Sequence, residues 1–187
     1  TAQNFTLLLI IAFIPAALLG LLFHESIKYY LFNPVAVAIA LIVGGIAIIL
    51  IEKFLPHRHI MTVDEVSKKQ ALFIGLAQCL SLIPGVSRAG ATIMGGLCAG
   101  LDRKTATEFS FFLAIPIIVA ASFFDLSQNY RLLNKAGSVI FSAGFIAAVF
   151  SALIVIKVFI HYVANNNFII FGWYRIVIGC IALLFFF

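Results

Sequence analysis

Charge is scarce in this chain: only 10% of its 187 residues are Asp, Glu, Lys or Arg, and the acids number 7. Soluble domains carry about a quarter charged residues, so a water-exposed globule with one apolar core is excluded. Cysteine is as sparse. Cys79, Cys98 and Cys180 are an odd number without metal-ligand spacing, each within an apolar segment, which argues against a disulfide framework or a zinc site and makes small buried side chains their expected role. Residues 59 to 65 carry neither a phosphate-binding loop nor a metalloprotease signature. The net charge of +5 would suggest nucleic acid only if the basic residues formed a patch, and they are dispersed instead.

Apolar residues fill the space left by charge: 64% are hydrophobic, 20 are Phe, and the mean hydropathy is +1.17. The bilayer must be the solvent. Crossing about 30 Å of hydrocarbon takes roughly 20 apolar residues as helix, and five runs qualify: 5 to 23, 34 to 51, 105 to 124, 137 to 160 and 167 to 187. The expected fold is an all-α polytopic membrane protein, one integral-membrane domain over 1–187. The first residue is Thr1 and the first run lacks the basic region and cleavage site of a signal peptide, so the chain reads as an N-terminally truncated piece. Lys53, Arg58, Lys68, Lys69, Arg103, Lys104 and Lys157 fall on one side of these spans, and Lys28, Arg131 and Lys135 on the other. The positive-inside rule makes the 52 to 70 loop cytoplasmic and the C-terminus external.

Residues 70 to 101 break the pattern. Two apolar pieces too short to span are interrupted by Pro84-Gly85 and Ser87-Arg88. Pro84 cannot continue a helical ladder and Gly85 permits unusual dihedrals, so a re-entrant helix-loop-helix is expected, with a second helix starting near Ser87. A single proline-kinked span from 70 to 93 is the alternative. Basic pairs at both ends, Lys68-Lys69 and Arg103-Lys104, favour the hairpin. In it Arg88, Thr92, Gly96 and Gly100 recur every four residues, beside a second small-residue stripe of Ala91, Gly95 and Ala99; Gly95, Gly96 and Gly100 are read as packing aids.

A broken helix exposes N–H donors and about half a positive charge at its N-terminus, an anion site when a glycine turn admits the ligand. Ser87 and Thr92 add hydroxyls, and Arg88 adds a planar fork suited to phosphate oxygens. Together with Gly85, Gly90 and Gln78 they outline a phosphate cradle. The same residues also describe a capped helix start with Arg88 paired to an acid. An ionisable group at membrane depth costs at least about 2.5 kcal/mol and is a functional-site candidate by default.

The stretch Gln78 to Thr92 resembles the second signature of the undecaprenyl-diphosphate phosphatases, the bacitracin-resistance phosphatases of bacterial envelopes. Glu108-Phe109-Ser110-Phe111 and Tyr174-Arg175 fit the same pattern, and the resemblance covers the chain as the family's C-terminal two-thirds. Ala89 stands where the family usually has serine. The resemblance implies hydrolysis of undecaprenyl diphosphate to the monophosphate in the bacterial inner membrane, recycling the lipid carrier for peptidoglycan. Arg88 and Ser87 would be its catalytic residues here, and Gly85, Gly90, Thr92 and Gln78 would bind substrate. It also implies a divalent cation, Mg or Ca, held by an earlier signature with paired glutamates and a histidine in an inverted-repeat counterpart. Nothing in these residues supplies that signature, so the chain alone is expected to be inactive. The implied partners are a polyprenyl diphosphate lipid and the membrane, with no nucleic acid; homo-oligomerisation is left open. A lipid-carrier transporter is the rival reading, since broken helices serve transport equally, and a non-catalytic lipid-binding scaffold is the second.

Arg175 is read as a second pocket charge or as the partner of Glu108 in an intramembrane pair, the latter preferred. Tyr174 is expected to hydrogen-bond within the bundle, and Gln78 either to face the pocket or to bridge helices. His57 and His59 are read as solvated loop residues, and His24, Glu25 and His161 as interfacial. No complete metal site is expected within the chain.

Overall fold

The computed structural model describes residues 2–54, 62–129 and 135–186. Seven helices make up its framework: α1 (Ala2–Leu31), α2 (Pro34–Phe54), α3 (Lys68–Cys79), α4 (Arg88–Cys98), α5 (Arg103–Asn129), α6 (Lys135–Asn165) and α7 (Ile169–Phe186). Short 3-10 turns at Val63–Glu65 and Leu80–Leu82 complete it, and no strand occurs among the described residues. The protein is an all-α polytopic membrane protein. Among the described residues five helices are long and apolar enough to cross a bilayer: Gln3–Phe23 within α1, Pro34–Phe54, Arg103–Asn129, Ser138–Asn165 and Ile169–Phe186. His57, Arg58, His59 and Arg131 lie outside the described residues, as do the side chains of His24 and Lys135.

Local chemistry sets the boundaries. Asn33 stops α1 and caps α2, its Oδ1 accepting from Ala36 N at 2.8 Å, and Pro34 takes the first helical position, where its missing N–H is no loss. Ser67 and Gln70 cap α3 reciprocally. Helix α4 ends in a Schellman motif: Gly100 N donates to Leu97 O and Leu101 N to Gly96 O, both at 3.0 Å, with Gly100 at φ 91. That left-handed position is why Gly100 is glycine, a terminator rather than a packing aid. Asp102 then opens α5 by accepting from Thr105 N at 2.8 Å.

Helices α3 and α4, with 12 and 11 residues, are about 18 and about 16 Å long at 1.5 Å per residue, well short of a bilayer. They run antiparallel. Gln70 Nε2 at the start of α3 donates to Ala99 O at the end of α4, 3.0 Å, and a Cβ at Gly95 would meet that of Ala77 at 2.6 Å. The chain therefore turns back at residues 83 to 87 and does not run on as one kinked span. The core surrounds this pair: Leu8 and Ala12 of α1, Ala71 and Ile74 of α3, Ile93 and Met94 of α4, and Phe109 and Leu113 of α5 are buried together.

Helices α2 and α7 form the second close seam. A Cβ at Gly45 would sit 2.6 Å from Gly172 O, and one at Gly179 would sit 2.9 Å from Ala38 O, so the two helices pack antiparallel with small residues seven apart on both. At the far end of α2, buried Glu52 accepts from Arg103 Nε at 2.6 Å and from Nη2 of the same guanidinium. This pair ties α2 to the start of α5. Glu52, the acid just past the second apolar run, passed without notice in the sequence although an acid at a span end calls for a partner.

The cysteines depart from expectation. Cys98 and Cys180 are exposed and Cys79 is half-buried. In a lipid-solvated chain an apolar segment turns much of its apolar surface outward, so membership of such a run does not place a side chain in the core.

Gly45→Leu should lower unfolding stability in detergent by about 1–3 kcal/mol through overpacking. Gly144→Ala, where an added Cβ meets nothing within 4 Å, should be neutral or stabilising by up to about 1 kcal/mol, the helical advantage of Ala over Gly. Equal effects in SDS or thermal unfolding would contradict the α2–α7 seam.

Candidate active site at the α4 N-terminus

The loop joining α3 to α4 is built for a tight reversal. Val86 N donates to Ile83 O at 3.0 Å, closing a four-residue turn with Pro84 second and Gly85 third. Gly85 has φ 91, the type II arrangement that needs glycine there. The tip is pressed on α2: a Cβ at Gly85 would lie 2.5 Å from Val37 O. Glycine is thus required twice at this position, by dihedral and by contact.

Ser87 follows as the N-cap of α4, its Oγ accepting from Gly90 N at 3.1 Å. The N–H groups of Arg88 and Ala89, first in the helix, have no intrahelical acceptor. Two guanidinium groups flank this end from different sides. Arg88 is half-buried, and its Nη1 donates to Ser110 O of α5 at 3.0 Å. Arg175 of α7 is also half-buried, with Nη2 donating to Gly85 O at 2.8 Å and weakly to Ala40 O at 3.5 Å. Its Nε is buried without a partner. Gly44 makes room for it, since a Cβ there would stand 2.7 Å from Nη2.

Several residues play other parts than expected. Thr92 is fully buried; its Oγ1 lies 3.0 Å from Arg88 O, 3.1 Å from Ala89 O and 2.6 Å from Ser110 Oγ, so the hydroxyl clasps α4 to α5 and is spent inside the bundle instead of facing phosphate. Gly96 continues that seam against Ala106. Arg175 does not pair with Glu108. It grips backbone carbonyls because a positive-φ turn pressed into a helix pair leaves Gly85 O in need of a donor, while Glu108, half-buried on α5, faces Lys104 at 3.9 Å in an i,i+4 pair. Tyr174 is 65% exposed and turned away from the bundle, since Arg175 beside it takes the inward face of α7. Gln78 does not bridge helices by a hydrogen bond: it is 1% exposed, with both amide atoms unpartnered. Ser110 is the residue whose role the sequence did not disclose, because only the fold brings α5 against the first turn of α4.

The assembled site is a set of donors: two open N–H groups, the unused N–H atoms of two guanidinium groups and a hydroxyl. Such a set accepts a polyanion and repels cations. Among the described residues no group of three or more His, Cys, Asp or Glu gathers to hold a metal ion, and the donor set does not fit one.

A double-mutant cycle on Thr92→Val and Ser110→Ala should return a coupling of about 0.6–1.7 kcal/mol, the range of interhelical hydrogen bonds in membranes. A coupling near zero in unfolding titrations would remove the clasp from the account of how α4 is held.

The sequence profile described as Bacitracin resistance protein BacA matches residues 1–181. The protein named undecaprenyl-diphosphatase from Nitrosomonas eutropha is 54% identical over 183 residues, covering 98% of this chain and 67% of its own length. Those of Aromatoleum aromaticum and Laribacter hongkongensis, of the same name, are each 50% identical over 182 residues, covering 97% of this chain and 66% and 67% of theirs. The chain thus spans about two thirds of the length of the relatives it matches. With a matched profile over nearly its whole length and a turn, cap and arginine arranged for an anion, the chain belongs to the BacA bacitracin-resistance family.

Proposed function

We propose that this chain forms the substrate-cradling part of an undecaprenyl-diphosphatase of the bacterial inner membrane, releasing inorganic phosphate from undecaprenyl diphosphate to leave the monophosphate. The observation that carries the reading is the α4 N-terminus, where a type II turn with Gly85 third leads into the Ser87-capped first turn of the helix and Arg88 is anchored to Ser110 O. Oriented N–H groups and a guanidinium fork are the donors a diphosphate requires. Every relative named above is a diphosphatase, which favours hydrolysis over carriage of the lipid.

In phosphoanhydride hydrolysis, water adds to the terminal phosphorus as the bond to the bridging oxygen breaks, and negative charge moves onto that oxygen. Catalysis here is mostly positioning and charge neutralisation. The Arg88 guanidinium, fixed at one corner by Ser110 O, keeps further N–H atoms for the phosphate oxygens. Ser87 holds the first turn in shape through Gly90 N, and its own hydroxyl hydrogen remains to be donated. Phosphate charge next to the helix N-terminus is stabilised by the macrodipole. The divalent cation that the resemblance implies would be held by carboxylates outside this donor set, and no step here runs through it.

We further infer that the α3–α4 pair is re-entrant. Its base, at Gln70 and Ala99, lies at the end of the bundle where Arg103 meets Glu52. Its tip touches Val37, and that contact lies about 22 Å from Glu52 along α2. The tip therefore crosses most of the bilayer without leaving it. If the basic end is cytoplasmic, Ser87 and Arg88 lie toward the external face.

In the full-length protein, Arg88→Ala should reduce phosphate release from undecaprenyl diphosphate by about 10²–10³-fold, the loss typical of removing one transition-state donor, with Arg88→Lys restoring only part of it because the fork is gone. Undiminished turnover in Arg88→Ala would refute the assignment. Thr92→Val, by contrast, should act on stability far more than on turnover.

A further inference from the structure

Helix α3 buries one stripe, Ala71, Ile74, Gly75 and Gln78, at the i, i+3, i+4, i+7 spacing of a single helix face. The member nearest the turn is polar. Gln78 carries two N–H donors and a carbonyl acceptor, is 1% exposed, and has no hydrogen-bond partner for either amide atom among the described residues. Its backbone is answered, since Ser81 Oγ donates to Gln78 O at 2.7 Å; its side chain is not. Lipid supplies no partner, and folded proteins answer such groups with protein atoms or ordered water.

The packing of the neighbouring helices fixes what stands beside it. A Cβ at Gly75 would lie 2.5 Å from Ala12 O, and one at Gly20 would lie 3.5 Å from Leu82 Cδ2, so α1 and α3 run parallel with Gln78 level with Pro15 and Ala16. The contacts of Ala77 with Gly95 and of Gln70 with Ala99 set it level with Thr92 and Ile93 of α4. Thr92 in turn is joined to Ser110 of α5 across 2.6 Å. Four helices therefore meet in one transverse layer, and three of them bring a buried polar side chain: Gln78, Thr92 and Ser110. The fourth brings backbone. Pro15 lies inside α1, where its missing N–H takes the usual donor from Ile11 O and its ring bends the helix. With Thr92 donating to Arg88 O or Ala89 O, the Ser110 hydroxyl donates to Thr92 and keeps its lone pairs as acceptors. An amide level with these acceptors that bonds to none of them directly calls for a bridge.

We propose that this layer is a binding site for ordered water, one molecule accepting from Gln78 Nε2 and donating to Ser110 Oγ and Ile11 O. Three hydrogen bonds are the usual number for a buried water. The occupant is small because Gln78 is closed off on all sides, and it is neutral because none of the side chains of the layer is ionised to balance an ion. The site is independent of the diphosphatase reading, since water rather than substrate fills it. It joins α1 and α3 to the Thr92–Ser110 clasp one turn below Arg88, and so links the α3–α4 pair to both α1 and α5.

A crystal structure of the full-length protein, at a resolution that shows ordered water, tests the site directly. An oxygen peak within about 3.2 Å of both Gln78 Nε2 and Ser110 Oγ is expected; its absence, or an amide bonded straight to protein, overturns the site. Thermal unfolding in detergent gives a second measurement. Gln78→Met keeps the length of the side chain and removes the amide, and should lower the midpoint by about 2–6 °C, the equivalent of one interhelical hydrogen bond in a membrane. A dry, unpaired amide would make the same change neutral or stabilising, and that result also overturns the site. In a Ser110→Ala background the loss should shrink by about half or more, because the two residues share one water; equal losses in both backgrounds overturn the bridge to Ser110. Should Gln78→Met fail to fold, Gln78→Leu takes its place, and the density at Gln78 in the unaltered protein still decides.

Discussion

A backbone that stops being helical part-way across a bilayer must find its hydrogen-bond partners inside the protein, because lipid offers none. On the re-entrant reading, the turn at residues 83 to 87 is where this chain meets that constraint, and much of the surrounding structure answers it. Val86 N is satisfied by Ile83 O, and Gly90 N by the Ser87 hydroxyl. Gly85 O is taken by Arg175 from a helix 90 residues further along the chain. Once these are assigned, the N–H groups at the head of α4 remain, facing the space where an anion would make them whole.

The two arginines divide the work of holding this arrangement. Arg175 belongs to α7 and acts across the α2–α7 seam, so the glycine packing at Gly45, Gly172 and Gly179 also determines where its guanidinium arrives. Arg88 belongs to the turn itself and is steadied from α5, whose Ser110 gives its carbonyl to Arg88 and its hydroxyl to Thr92. One residue thus anchors both the charge and the helix that carries it. Packing in lipid has no hydrophobic drive between helices. Small residues and buried hydroxyls replace it, which is why the polar residues near the site are occupied as much by structure as by chemistry.

The long apolar runs, the hairpin and the capped start of α4 were legible because each depends on local rules: hydropathy over about 20 residues, the missing N–H of Pro84, the positive φ of Gly85, the side chain of Ser87. Helix ends differed by several residues, as at α1, which continues to Leu31 beyond the apolar run ending at 23. Polar residues such as Ser26 and Lys28 extend a helix past hydrocarbon depth without adding apolar signal. Pairings across the fold were not legible. Glu108 and Arg175 have the right charges to meet, yet helical spacing gives Glu108 to Lys104 and the seam with α2 gives Arg175 to Gly85. Thr92 carries the hydroxyl a phosphate would want, but its inward angle on α4 was fixed only when α5 closed over it. The buried cysteine expectation failed for a different reason: in a membrane, apolar and interior are separate properties.

The faces of α4 show how one short helix serves anchorage and binding together. At 100° per residue, Arg88, Thr92 and Gly96 cluster on one side, and Gly90, Ala91, Met94 and Cys98 on a side roughly 145° away. The first side is closed by α5 and carries the hydrogen bonds; the second stays open between α2 and α3 and carries none. Polar load and apolar groove can therefore be tuned separately, and they converge only at the N-terminus, where both faces and the helix dipole share an axis. A ligand with a charged head and a long apolar tail exploits that convergence. A ligand with only one of those parts leaves either the donors or the groove unanswered.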